Sequence, residues 1–135
     1  MDKKILIADD EPFIRALLEE TLEDFEDKGV TLLIARDGRE TLSLAQKERP
    51  DLVFLDVMMP HMSGYDVCER IKKDQVLSSI YVILLTARGQ EVDKERGMDV
   101  GADEYITKPF DPDLIIRRAQ EVLNLELWGG SDVGQ

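Results

Sequence analysis

The sequence predicts a doubly wound α/β domain, in which helices cover both faces of a parallel β-sheet. One observation is the apolar run 52–55, which ends at Asp56 and lies between Pro50 and Pro60. Such a bounded run is typical of a strand that is buried on both faces, as in parallel sheets covered by helices. The other is the alternation of short strand patterns with helical patterns along 135 residues, a length that suits one domain with a single core.

The first two strand–helix units occupy the N-terminal third of the chain. Residues 4–9 predict an apolar strand, and Pro12 suits the first turn of the helix that follows. Helical spacing predicts one core-facing stripe on that helix, made of Phe13, Ile14, Leu17, Leu18, Leu22 and Phe25. Residues 30–35 predict the second strand, and Asp37 with Gly38 leads into a helix that stops before Pro50.

The third unit begins with the strand that ends at Asp56. Ser63 and Asp66 have the spacing of a capping box, so we expect a helix to begin there. Its predicted inner face consists of small and apolar residues: Gly64, Val67, Cys68 and Ile71. On that face Cys68 is expected to act as a small core residue rather than as a reactive thiol.

The C-terminal part supplies two further strands and two helices. Residues 80–85 predict the fourth strand, which ends at Thr86, and residues 105–107 predict the fifth, which is followed by Lys108. Residues 90–99 predict a helix with the thinnest apolar face in the chain, and we expect it to be the least firmly packed element. Asp111 and Pro112 cap and open the last helix.

Five strands alternating with five helices favour the flavodoxin-like strand order 2-1-3-4-5 with right-handed crossovers. The point where the strand order reverses then lies between strands one and three, and ligands bind at such points in open α/β sheets. We expect residues 1–127 to form this domain and residues 128–135 to form a loose C-terminal tail or the stub of a linker.

The composition limits the classes of partner. Seventeen Lys and Arg stand against 29 Asp and Glu, a net charge of −12 that repels phosphate backbones and anionic lipids. No apolar run approaches the length of a membrane span. We therefore expect neither direct nucleic-acid binding nor membrane association. One cysteine, Cys68, excludes an internal disulfide and fits a cytoplasmic protein.

Acidic residues follow the two strands that flank the predicted crevice. Asp9, Asp10 and Glu11 end strand one and Asp56 ends strand three. Carboxylates at one sheet edge repel one another, and a bound Mg²⁺ relieves that repulsion. The alternatives are that the first three acids cap the helix, which suits Glu11 in part, and that Asp56 only starts a turn.

Thr86 and Lys108 end strands four and five at the same edge. Alone, each is ordinary, since Thr often ends strands and Lys is usually solvated. With the acidic residues they make a coherent phosphoryl site. A carboxylate is then the nucleophile, and an ammonium and a hydroxyl bind the phosphoryl oxygens.

Four motifs in this order resemble the response-regulator receiver domain of two-component signalling. They are Ile-Leu-Ile-Ala-Asp-Asp-Glu-Pro at 5–12, Asp56 to Pro60 with Gly64, Leu-Thr-Ala at 85–87, and Gly-Ala-Asp-Glu-Tyr-Ile-Thr-Lys-Pro-Phe at 101–110. The resemblance covers residues 4 to about 125 and implies the same sheet order. It implies a signalling protein that assists only its own phosphorylation and dephosphorylation.

The resemblance also implies roles for single residues. Asp56 is the expected phosphoacceptor, which receives its phosphoryl group from a sensor histidine kinase or a phosphotransfer protein. The expected Mg²⁺ ligands are Asp9, Asp10, Asp56 and the backbone carbonyl of Met58. Thr86 and Lys108 are expected to bind the phosphoryl oxygens, and Lys108–Pro109 is expected to be a cis peptide.

For switching, we expect phosphate on Asp56 to draw Thr86 inward and Tyr105 to follow. The face made by the 90–99 helix, the fifth strand and the last helix then changes shape for a downstream partner or for a homodimer. Charged residues there could pair across such a dimer: Asp103, Glu104, Arg117 and Arg118. Alternatively, Tyr105 is a half-buried strand aromatic that does not move.

Two positions beside the site, Met58 and Arg88, are of the kind that tunes phosphate loss in this family. An apolar Met58 cannot orient an attacking water, so we expect a long-lived phosphorylated state. His61 is the only histidine and is expected to be exposed and not catalytic.

Other functions stay open. One is a Mg²⁺-dependent phosphohydrolase that works through an aspartyl phosphate, although haloacid-dehalogenase-like phosphatases place the nucleophile on the first strand. Another is a receiver-like interaction module that is independent of phosphorylation. A flavin binder has little support, because the loop after strand one is acidic.

Overall fold

The computed structural model describes residues 2–87 and 99–127 and contains a five-stranded parallel sheet in the order β2–β1–β3–β4–β5. The strands are β1 Lys4–Ala8, β2 Thr31–Ala35, β3 Leu52–Asp56, β4 Tyr81–Ala87 and β5 Glu104–Lys108. The described α-helices are α1 Pro12–Leu22, α2 Gly38–Glu48, α3 Gly64–Lys73 and α4 Pro112–Leu123, and a 3₁₀-helix Glu23–Lys28 extends α1. The predicted fold class and strand order are confirmed.

Two apolar clusters lie on opposite faces of the sheet. Leu6 and Ala8 of β1 belong to the cluster under α2 and α3, while Ile5 and Ile7 belong to the cluster under α1 and α4. This alternation arises because successive side chains of a strand point to opposite faces. All five residues of β3 are buried, and the uninterrupted apolar run predicts this for the first four. The carboxyl ends of β1 and β3 therefore emerge side by side from a sheet covered on both faces.

Capping residues set most of the helix starts that position the site. The side chains of Asp37, Ser63 and Asp111 accept hydrogen bonds from backbone N–H groups in the first turns of α2, α3 and α4. The 3₁₀-helix ends at Gly29, whose φ of 86° suits glycine. Ser63 and Asp111 were predicted as caps, and both predictions are confirmed. The inner face predicted for α3 is also confirmed, because Gly64, Val67, Cys68 and Ile71 are all buried.

The predicted stripe of α1 is wrong at Phe13, whose side chain is 74% exposed. Leu18 and Leu22 are buried and Ile14 packs against the same cluster, so the stripe is centred on these three residues. At 100° per residue, Phe13 lies about 140° around the helix from Leu18 and about 180° from Leu22. The predicted stripe was therefore too wide, because it included an apolar residue that points away from the buried face.

Some predictions fall on residues that the structure does not describe. These are Arg88, the predicted helix at 90–99 apart from Asp99, and the predicted tail at 128–135. Within the two described ranges, none of the helices combines the length and the apolar character that crossing a membrane requires.

Candidate functional site

Three carboxylates meet where β1 and β3 end. The parallel pairing of Ala8 with Leu55 brings the following residues, Asp9 and Asp56, to one edge of the sheet. One oxygen from each of Asp9, Asp10 and Asp56 lies within 4.8 Å of the others. Asp9 and Asp56 are buried and Asp10 is exposed. The acidic cluster expected from the strand order is therefore present.

Lys108, at the end of β5, reaches across β4 to this cluster. Its Nζ lies 3.0 Å from Asp9 Oδ2, 3.3 Å from Asp56 Oδ1 and 3.4 Å from Glu11 Oε1. Burial lowers the pKa of Lys108, but its hydrogen bond to Asp9 and the charges of Asp56 and Asp9 outweigh burial, so that its pKa is raised. Lys108 thus remains a cation that partly compensates three acidic side chains.

Backbone groups hold the two buried carboxylates in place. Asp9 Oδ1 accepts a hydrogen bond from the N–H of Glu11 at 2.9 Å, and Asp56 Oδ1 accepts one from the N–H of Met58 at 3.1 Å. Arg15 Nη1 donates to the backbone oxygen of Asp9 at 2.9 Å. Glu11 occupies the N-cap position of α1, but its side chain accepts no capping hydrogen bond. Glu11 therefore takes the N-cap position, as the capping alternative suggested in part, but without a capping hydrogen bond from its side chain.

Two glycines allow the loop between β3 and α3 to pack closely beside Asp56. A Cβ atom on Gly64 would lie 2.2 Å from the backbone oxygen of Asp56. A Cβ atom on Gly38, at the start of α2, would lie 2.1 Å from the backbone oxygen of Met62. Gly64 was predicted from the sequence, whereas Gly38 was noted only as a helix start. A single sequence carries no signal for its packing role.

The environment of Asp56 disfavours its ionised form. Burial, and next the negative charge of Asp9, raise the pKa of Asp56 to about 7. The nearby ammonium of Lys108 and the N–H of Met58 act in the opposite direction without cancelling the rise. A carboxylate in this condition gains from any further cation that binds beside it.

The site opens into a cavity of about 310 Å³. It is lined by Asp10, Glu11, Asp56, Met58, Ala87 and Lys108. The side chain of Met58 is 63% exposed. Thr86 is buried at the end of β4, one residue beyond the Leu85 that pairs with Asp56, and it is not among the lining residues.

The other predicted residues lie around this cavity or away from it. Tyr105 of β5 is partly exposed and packs against the apolar cluster on the α3 side of the sheet. His61 is exposed, as predicted, with a φ of 72°. The Lys108–Pro109 peptide bond is cis, also as predicted.

The charged residues considered for pairing across a dimer are largely paired within the chain. Arg118 Nη2 lies 2.8 Å from Glu104 Oε1, and its Nε also donates to the same carboxylate. Lys72 Nζ lies 2.7 Å from Asp103 Oδ2. The sequence could not reveal these pairings, because they join residues far apart along the chain.

Carboxylate oxygens in this number suit Mg²⁺, which prefers hard oxygen ligands and retains several waters. Asp9, Asp10 and Asp56 supply such oxygens within a small space, and the cavity beside them admits water. An anionic group that entered the cavity would face the ammonium of Lys108. The residues present therefore fit both a divalent cation and a phosphoryl group.

Comparison with known proteins agrees with this site. The family model described as response regulator receiver domain matches residues 5–120. PhoP of Bacillus subtilis, a regulatory protein of alkaline phosphatase synthesis, is 42% identical over 123 residues, which are 91% of this chain and 49% of PhoP. RpaA of Synechocystis, a DNA-binding transcriptional regulator, is 42% identical over 120 residues, which are 89% of this chain and 48% of RpaA.

The chain thus spans about half the length of these curated relatives. A solved structure of the receiver domain of DrrB from Thermotoga maritima, in a form activated by BeF₃, superposes with a TM-score of 0.79. The two sequences are 32% identical, and the match covers 92% of this chain and 99% of that one. Because the family model matches most of its length, this chain belongs to the response-regulator receiver domains of two-component signalling.

Proposed function

We propose that this chain is a phosphoacceptor switch. In this proposal a histidine kinase or a phosphotransfer protein supplies a phosphoryl group, and Asp56 receives it. The observation that carries the proposal is the convergence of Asp9, Asp10 and Asp56 within 4.8 Å, with Lys108 Nζ 3.3 Å from Asp56 Oδ1. This arrangement combines a nucleophile, a place for a cation and a fixed positive charge.

The transfer is a substitution at phosphorus. A carboxylate oxygen of Asp56 forms the new P–O bond while the P–N bond to the donor imidazole breaks, and the electron pair of that bond stays on the imidazole nitrogen. Asp56 must be ionised to attack. Lys108 lies where its ammonium can bind an oxygen of the transferred group, and this stabilises charge in the transition state. Hydrolysis later restores the carboxylate and releases inorganic phosphate.

Mg²⁺ is the cofactor that the site fits. Asp9, Asp10 and Asp56 would hold it together with the backbone carbonyl of Met58, and the bound ion would neutralise charge on the phosphoryl oxygens. The raised pKa of Asp56 is consistent with this role, because a nearby cation favours the ionised form that attacks.

The same proposal gives Thr86 and Tyr105 the role of coupling the site to the surface. Thr86 binds a phosphoryl oxygen, and Tyr105 then moves into the space that Thr86 leaves. The support is that buried Thr86 is the penultimate residue of β4 and that Tyr105 lies on the adjacent strand β5. The surface that includes β5 and α4 would then bind a downstream partner or a second copy.

The composition of the chain and the names of its relatives indicate its output and its cellular location. PhoP and RpaA are transcriptional regulators by name, so an effect on transcription is a reasonable output for the whole protein. With a net charge of −12, we expect this domain itself to contact neither DNA nor membrane. Its single cysteine fits action in the reducing cytoplasm.

The test uses acetyl phosphate as a small phosphodonor, with MgCl₂. We expect intact-protein mass spectrometry to show one added phosphoryl group in the wild-type protein, and none in Asp56→Asn or in excess EDTA. Phosphorylation of Asp56→Asn to the wild-type extent would refute the proposal. Rapid turnover of a chromogenic phosphate ester would instead support the phosphohydrolase alternative.

A further inference from the structure

The ammonium of Lys108 is held by three carboxylates of two different kinds. Asp9 and Asp56 are buried and belong to the group that fits a divalent cation. Glu11 is different, because its side chain is 60% exposed. Among the residues that the structure describes, it is not part of the group of carboxylates that could hold a metal ion. Glu11 nevertheless lines the cavity and comes within 3.4 Å of Lys108 Nζ.

Lys108 and a divalent cation compete for the same two carboxylates. The ammonium contacts Asp9 Oδ2 and Asp56 Oδ1, and both carboxylates are expected to bind Mg²⁺. Once these charges are neutralised, they attract Lys108 less, and the cation itself repels the ammonium. Within the described part of the chain, Glu11 is then the remaining carboxylate already within 3.4 Å of Nζ.

We propose that Glu11 is a positioning residue for Lys108, an inference that rests on the proposed function. Glu11 retains the ammonium of Lys108 at the mouth of the cavity when Mg²⁺ is bound to Asp9 and Asp56. The backbone of Glu11 is well fixed, since its N–H donates to Asp9 Oδ1 and its carbonyl accepts from the N–H of Arg15. The exposed side chain of Glu11 can then change its conformation to stay close to Lys108 while its backbone remains fixed.

Two simpler explanations must be separated from this one. An exposed ion pair often contributes nothing measurable, in which case Glu11 has no effect. Alternatively, Glu11 attracts Mg²⁺ directly through its charge, without involving Lys108. If Glu11 attracts Mg²⁺ directly, its effect on Mg²⁺ affinity persists when Lys108 is replaced. If Glu11 acts by positioning Lys108, that effect disappears.

The first experiment is a double-mutant cycle on Mg²⁺ affinity, measured by titration calorimetry at fixed ionic strength. We expect Glu11→Gln to weaken binding about three- to tenfold, because Lys108 then competes harder for Asp9. In a Lys108→Met background we expect Glu11→Gln to change binding less than about twofold. Glu19→Gln removes an exposed charge from the same helix and serves as the matched control. Equal effects of Glu11→Gln in both backgrounds, or no difference from Glu19→Gln, would overturn the role of Glu11.

The second experiment does not depend on how well Lys108→Met folds in the absence of metal. Lysine side chains are labelled with ¹³C at Cε and observed by NMR, and Lys108→Met serves only to assign the signal. In saturating Mg²⁺ we expect Glu11→Gln to shift and narrow the Lys108 signal, while Glu19→Gln leaves it unchanged. A Lys108 signal that is identical in wild type and Glu11→Gln would overturn the inference.

The proposed function and this inference fail in distinguishable ways. A wild-type protein that binds no Mg²⁺ and accepts no phosphoryl group would overturn both. A wild-type protein that does both, while Glu11→Gln behaves like Glu19→Gln in calorimetry and NMR, would overturn only the role of Glu11.

Discussion

At the scale of single residues, the environment of Asp56 makes a prediction about stability and pH. Burial and the charge of Asp9 raise its pKa from an ordinary 3.8 to about 7, so the folded state holds the proton more tightly than the unfolded state. The stability that this protonation contributes is present below pH 3.8 and is lost as the pH rises through 7. Above that pH the folded metal-free protein bears the cost of a buried, ionised carboxylate.

We therefore expect Asp56→Asn to raise the free energy of unfolding of the metal-free protein by about 1–3 kcal/mol at pH 8, and by much less near pH 4. Urea denaturation in EDTA across this pH range measures the difference. Asp27→Asn, which removes an exposed carboxylate from the 3₁₀-helix, is the control. A constant difference between wild type and Asp56→Asn from pH 4 to pH 8 would contradict this account.

The side chain of Met58 is expected to affect the lifetime of the phosphorylated state. This side chain lines the cavity and is 63% exposed, yet it cannot hold a water for attack on a phosphoryl group. We expect Met58→Asn, which adds an amide, to shorten the lifetime of phosphorylated Asp56 by about tenfold. The measurement is the decay of the phosphorylated mass after the donor is removed, with Met58→Leu as the apolar control. If both variants decay at the wild-type rate, Met58 does not govern phosphate loss.

At the scale of elements, the start of α3 depends on a glycine. Because a Cβ on Gly64 would lie 2.2 Å from the backbone oxygen of Asp56, Gly64→Ala must push α3 away from the end of β3. We expect a loss of about 1–3 kcal/mol in unfolding free energy and weaker Mg²⁺ binding. Ser63→Ala, which removes only the cap of the same helix, should cost about 1 kcal/mol and leave Mg²⁺ affinity nearly unchanged. Denaturation and calorimetry on the two variants separate these effects.

The attachment of α4 to the sheet gives another prediction at this scale. Arg118 of α4 donates to Glu104 of β5 through two nitrogens, and its Nη2 also lies 3.3 Å from the hydroxyl of Tyr81 in β4. We expect Arg118→Ala to lower the unfolding free energy by about 1–2 kcal/mol, because charge-assisted bonds to a partly buried carboxylate are lost. The neighbouring Arg117→Ala removes an exposed arginine from the same helix and should have little effect. Equal losses in the two variants would show that this network is not what stabilises the attachment of α4.

The elements that were predicted correctly are those whose signals are local. The apolar run of β3, the caps Ser63 and Asp111, and the inner face of α3 each follow from residues within a few positions of one another. The exposure of Phe13 was missed because the predicted stripe included an apolar residue on the opposite side of the helix from Leu22. The pairing of Arg118 with Glu104 was missed because it depends on the packing of α4 against β5.

At the scale of the whole molecule, strand order accounts for most of what could be predicted about the site. Once β1 and β3 are neighbours, Asp9 and Asp56 must lie together, whatever the details of packing. The contacts of Lys108 with three carboxylates beyond β4 do not follow from strand order alone. They depend on side-chain conformation and on the competition among charges, so the sequence indicated that Lys108 belongs to the site but not which partners it has.

Because the expected Mg²⁺ ligands come from the ends of two central strands, binding should stabilise the entire fold. A ligand that binds only the folded state adds about 2.7 kcal/mol at a concentration one hundred times its dissociation constant. For a domain of this size we expect the midpoint of thermal unfolding to rise by about 5–12 °C. Asp10→Asn removes the exposed ligand without disturbing the buried pair, and should lose most of the rise.

The control for this last prediction is ionic strength. A chain with a net charge of −12 gains stability when any salt screens its self-repulsion, so part of the rise in MgCl₂ is not specific. NaCl at matched ionic strength measures that part, and it should be the same for wild type and Asp10→Asn. A rise in MgCl₂ no larger than in NaCl, or one that Asp10→Asn retains in full, would mean that the carboxylates at the sheet edge do not hold the ion.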